Sequence, residues 1–61
     1  MISVTFPDGA QRQFAPGVSG FEIAKSISPS LAKRTVAMAL DGAVVDLADP
    51  IHQDARIEFV S

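Results

Sequence analysis

Lys25, Lys33 and Arg34 form the only concentration of positive charge in this chain, and Phe21 stands one helical turn before the first of them. Cations so placed can meet nucleic-acid phosphates or an acidic protein surface. A phenyl ring left exposed beside them would mark a contact with a partner. The same cations also suit the end of a helix, where they oppose the negative pole of its dipole. Three charges engage few phosphates, so any nucleic-acid binding here would be weak and salt-sensitive. Phe21, Lys25, Lys33 and Arg34 are therefore the expected partner-contact residues.

The other chemistry-bearing side chains have simpler roles. Ser19 has no base beside it that could make it a nucleophile, and its spacing to Glu22 explains it as a helix cap. His52 is the only histidine, with no cysteine anywhere and no second histidine at metal-ligand spacing; it reads as a solvent-facing loop residue. Asp46, Asp49 and Asp54 cluster late in the chain but lack the tight ligand spacing of a calcium loop, so they read as turn and cap residues. Pro16-Gly17-Val18-Ser19-Gly20 leads into a helix, a place where free N–H groups can hold phosphate. It lacks the glycines and lysine of a phosphate-binding loop. No catalytic, cofactor-binding or metal-ligating residue is expected.

Size and composition point the same way. Sixty-one residues make one domain, 1–61. Such a chain buries only about 60% of its unfolded surface, which leaves little room to shape a catalytic cleft. With no cysteine, stability must come from burying the 48% of residues that are apolar. A net charge of −2 argues against a free-standing nucleic-acid binder. No apolar run approaches the ~20 residues that span a bilayer, and Met1-Ile2-Ser3 leads straight into a strand pattern rather than a secretory signal. The absence of membrane segments and cysteine suits the cytoplasm.

The elements that must position these residues follow from period and punctuation. Ile2, Val4 and Phe6 alternate with Ser3 and Thr5, the pattern of a half-buried strand. Pro7-Asp8-Gly9 is a turn, and Ala10 to Ala15 is the return strand, with Phe14 inward and Arg12 at the sheet margin. Ser19 and Glu22 have capping-box spacing, and Val18 and Ile23 can form the accompanying hydrophobic staple. Ile23, Ala24, Ile27 and Leu31 recur at helical spacing, and Pro29 stops the helix near Ser28. Pro29 to Lys33 reads as a short extra turn with Leu31 under the sheet. Thr35 to Leu40 is a third strand, with Val36, Met38 and Leu40 on one face and Thr35, Ala37 and Ala39 on the other. Asp41-Gly42 is a two-residue hairpin turn needing positive φ at both positions. Ala43 to Asp46 returns, Leu47 to Ile51 is a loop with room for one helical turn, and Arg56 to Val60 is the last strand, with Ile57 and Phe59 inward.

Hairpin, helix, hairpin and final strand fit one economical arrangement. It is an α+β fold of the β-grasp, ubiquitin-like type: a mixed five-strand sheet, first and last strands central and parallel, with one main helix on one face. A split βαβ fold would need a second full helix after the third strand, and Leu47 to Ala55 is too short and proline-broken for one.

Pro7-Asp8-Gly9, Pro16-Gly17-Val18-Ser19 and Glu22-Ile23-Ala24 with Ile27 resemble the TGS family, named for threonyl-tRNA synthetases, certain GTPases and guanosine-polyphosphate enzymes. Ile27-Ser28-Pro29-Ser30-Leu31-Ala32-Lys33, Val45-Asp46-Leu47 and Asp54-Ala55-Arg56-Ile57 resemble the synthetase branch of bacteria. No one motif is specific; their joint spacing is, and it covers nearly all of the chain. Asp41-Gly42 stands where the family often has Asn-Gly. Asp54-Ala55 replaces an Asp-Gly common in other branches, so that turn should not need positive φ.

The resemblance implies an N-terminal accessory domain of a longer, homodimeric parent that uses ATP and zinc to join threonine to its tRNA. ATP and zinc would be held beyond residue 61, and this domain would hold no cofactor. Its implied partners are the other domains of the parent and, weakly, tRNA. A small-molecule or nucleotide sensor is the alternative. A sulfur carrier would end in Gly-Gly where this chain has Val60-Ser61, and a β-grasp ferredoxin needs cysteines for its cluster.

Overall fold

The computed structural model describes all 61 residues. Strand β1 (Ile2–Thr5) buries Ile2 and Val4 and turns Ser3 and Thr5 outward, as its alternation requires. The chain reverses through Pro7-Asp8-Gly9, where Gly9 has φ +90° and the Asp8 carboxylate accepts the Ala10 N–H at 3.0 Å. Strand β2 (Gln11–Phe14) then pairs antiparallel with β1, Ile2 opposite Phe14.

The helix begins where the capping box predicts. Ser19 Oγ accepts the Glu22 N–H at 3.1 Å, and Glu22 Oε1 accepts the Ser19 N–H at 3.2 Å. Two otherwise orphaned donors are thereby satisfied. Val18 packs against the core cluster to which the fully buried Ile23 belongs. Ser19→Ala should cost about 1 kcal/mol in urea unfolding; an unchanged midpoint would show the cap to be dispensable.

Val18–Ser19 is itself a short strand, β3, and pairs antiparallel with β6 (Pro50–Ile51). Gly17 N–H also donates to the Ile51 carbonyl at 2.8 Å. The segment expected to be a loop is thus stitched to the start of the helix, and its Leu47 and Ile51 are 8% and 2% exposed core residues.

Helix α1 (Gly20–Ile27) ends at Ser28, whose φ of −164° and ψ of 131° are the extended values imposed by the following proline. The expected extra turn is a six-residue helix, α2 (Pro29–Arg34), with proline at its first position. α2 turns Ala32 inward, while Leu31, expected beneath the sheet, is only half-buried. Thr35 closes α2: both its N–H and its hydroxyl donate to the Leu31 carbonyl, at 3.0 and 2.7 Å.

This closure corrects the third strand. β4 covers Ala37–Leu40 only, so its alternation does not extend back to residues 35 and 36. Thr35 is buried, and Val36, expected inward with Met38, is 73% exposed. Ile27 also departs from expectation at 41% exposed. It is the last residue of α1, where it lines an open groove rather than joining the core cluster.

Asp41 and Gly42 have φ of 50° and 88°, the paired positive values of the predicted hairpin turn. The turn is also tied to the last strand: Arg56 N–H donates to the Asp41 carboxylate at 3.0 Å, and Asp41 N–H to the Arg56 carbonyl at 2.9 Å. β5 (Ala43–Asp46) completes this hairpin, and β7 (Ala55–Val60) is the last strand. Ala55 is not among the residues with positive φ, as Asp54-Ala55 implied.

The five-stranded sheet has the order β2-β1-β7-β4-β5. β1 and β7 are central and parallel, and every other pairing in it is antiparallel. This is the mixed sheet expected of the β-grasp. Ile2, Val4, Phe6, Ile23, Met38, Leu47, Ile51 and Ile57 form its core. No helix is long and apolar enough to cross a membrane.

Candidate functional site

Polar side chains near the strand ends are committed to backbone. The Asp54 carboxylate accepts the Ser3 N–H at 2.8 Å, clamping the start of β1. The Asp46 carboxylate accepts the Ala48 N–H at 2.8 Å. His52 is exposed in the segment after β6, where a Cβ placed on Gly17 would lie 3.9 Å from His52 Cε1. No three His, Cys, Asp or Glu side chains come together as a metal cluster.

All the Asp, Glu, Lys, Arg and His side chains are exposed. None sits in the desolvated surroundings in which enzymes hold a general acid or base. Every buried side-chain oxygen and nitrogen has a hydrogen-bond partner.

The four predicted contact residues lie on the two helices. Phe21 is in the first turn of α1, 46% exposed, with its N–H on the Leu47 carbonyl at 3.0 Å. Lys25 is exposed four residues later, on the same side of the helix. Lys33 and Arg34 are exposed in the last turn of α2, where Arg34 Nε reaches back to the Ser30 carbonyl at 3.3 Å. The fold thus pairs Phe21 with Lys25 and Lys33 with Arg34, on separate elements. Both lysines and the arginine suit the negative ends of their helices.

Sequence reasoning missed a second surface. Beyond the end of α1, Phe6, Ile27, Leu31 and Phe59 line an open groove of about 340 Å³ with Arg12 at its margin. Period alone placed Ile27 and Leu31 in the core. The one signal that could have exposed the groove is the brevity of the helix before Pro29.

A TGS domain family model matches residues 2–61. The chain is 60% identical over 60 residues to a threonine–tRNA ligase of Rhodopseudomonas palustris, a match covering 98% of this chain and 9% of that protein. Threonine–tRNA ligases of Sinorhizobium medicae and Lactococcus lactis are 55% and 51% identical, over 98% and 100% of this chain and again 9% of each protein. The chain therefore spans about a tenth of the length of these relatives. With the family model covering all but its first residue, and the β-grasp sheet and capped helix in place, the chain belongs to the TGS domain family.

Proposed function

We propose that this chain is the N-terminal, non-catalytic accessory domain of a cytoplasmic, homodimeric threonyl-tRNA synthetase, docking to other domains of the parent and weakly to tRNA. One observation carries the reading: 60% identity runs along almost the whole chain, yet covers only 9% of a threonine–tRNA ligase. The parent would join threonine to its tRNA with ATP and zinc. Zinc would be held elsewhere in it, because the residues here do not fit that ion: there is no cysteine, and no three candidate ligands meet.

Phe21, Lys25, Lys33 and Arg34 are the residues proposed to touch a partner. A ring and a cation on one side of α1 can pack against an aromatic or apolar surface with an anionic rim. Lys33 and Arg34 supply two more charges for phosphate. With so few charges, affinity for tRNA should be low and fall further as salt rises.

The full-length protein should charge tRNA with threonine in the presence of ATP, and the 61-residue chain should show no charging at all. A full-length protein that charges a different amino acid would reject the synthetase reading. Charging by the 61-residue chain would reject its accessory role. NMR titration of the short chain should give small shifts with tRNA, confined to the four residues and lost in Lys33→Ala/Arg34→Ala. Saturable shifts with threonine or a nucleotide would favour a sensor instead.

A further inference from the structure

The eight residues of α1 extend about 12 Å, against about 20 Å for the six residues of β7. At one end of the sheet Phe6, just after β1, and Phe59, of the adjacent β7, line the open groove of about 340 Å³ together with Ile27 and Leu31 from the two helices. Two more exposed apolar residues lie at the same end of the sheet, outside the groove lining. Val36, 73% exposed, donates its N–H to the carbonyl of Val60, itself 38% exposed, at 2.8 Å.

β7 runs parallel to β1, so the ends of both strands lie on the same side of the molecule. Phe59 lines the groove and Val60 is the last residue of β7. One residue of extended chain advances about 3.3 Å, so polypeptide beyond Ser61 lies within a few residues' reach of the groove. The threonine–tRNA ligases this chain resembles are about eleven times its length, since it covers 9% of each.

We propose that the groove is the docking site of the polypeptide that follows residue 61 in the full-length protein, which lays an apolar side chain among Ile27, Leu31 and Phe59. Arg12, exposed on the groove lining, then receives a carboxylate of that segment, while the Asp8 carboxylate on the same lining is taken by the Ala10 N–H. This inference rests on reading the chain as a domain of a longer synthetase. It explains why a small domain leaves aliphatic surface open at one end: the missing cover is covalently attached and its effective concentration is high.

Hydrogen exchange followed by mass spectrometry tests this on the full-length protein and the 61-residue chain side by side. Peptides spanning residues 27–36 and 59–60 should exchange about tenfold more slowly in the long chain. Residues 43–46, which include the exposed Val44 on a strand at the opposite sheet edge, should exchange equally in both. In the full-length protein, Ile27→Asp should remove the protection and Arg12→Glu should weaken it; Arg12 is exposed, so that variant keeps the fold. Equal exchange in the two chains overturns the proposal, as does protection that survives both substitutions. Protection that appears in the short chain at high concentration also overturns it, in favour of a second copy as the occupant. Threonine charging, read on the same preparation, separates the two ideas. Charging without groove protection rejects the groove alone, and protection without charging rejects the synthetase reading alone.

Discussion

Ile23→Ala should destabilise the 61-residue chain by about 2–5 kcal/mol in urea unfolding. Ile23 is 0% exposed at the fourth position of α1, between the helix and the inner face of the sheet, and belongs to the eight-residue core. Removing three carbons there loses transfer energy and leaves a void, because the neighbouring strands are held by their ladders and cannot close on it. A core this small rarely supplies more than about 3–5 kcal/mol in all, so much of the variant should be unfolded at room temperature. Ile27→Ala is the internal control. It removes the same atoms one turn later, but from a residue already 41% exposed, and should cost about 1 kcal/mol or less. Equal losses at the two positions would refute the burial difference between them.

Gly20→Val should be nearly as damaging, for the opposite reason. Gly20 is buried in the first turn of α1. A Cβ there would fall inside the thioether of Met38 and 3.1 Å from Leu47 Cδ1. Met38 is itself 0% exposed, so its side chain has no free space to retreat into. Overpacking of this kind costs about 1–3 kcal/mol, and a branched residue lies toward the upper end. If the collision with Met38 is the cause, Gly20→Ala should be rescued in part by Met38→Ala, giving a double-mutant coupling of about 0.5–3 kcal/mol. Additive losses would show that backbone conformation, rather than packing, is why glycine stands there. The position has ordinary helical φ, unlike Gly42 at 88°.

The candidate contact surface divides similarly. That Phe21 and Lys25 share one side of a helix follows from their spacing of four once the helix is placed. That Phe21 is left 46% exposed, with its N–H on the Leu47 carbonyl, depends on how the late loop returns. The groove formed by Phe6, Ile27, Leu31 and Phe59 draws on four separate segments. No local pattern links them, and helical period assigns two of the four to the core.

Local rules determined every element whose cause lies within a few residues. Ser19 and Glu22 cap α1, Pro29 ends it, Asp41-Gly42 turns the second hairpin, and alternation orients Ile2, Val4, Ile57 and Phe59. The mixed sheet followed because so few topologies bury one helix against two hairpins and a last strand. Tertiary structure alone decided the pairing of Val18–Ser19 with Pro50–Ile51, the burial of Leu47 and Ile51, the exposure of Val36 and Ile27, and the need for glycine at position 20. Each of these depends on which distant segment arrives opposite, and at what distance. Side-chain period carries the direction in which a residue points, but not whether anything waits there to cover it.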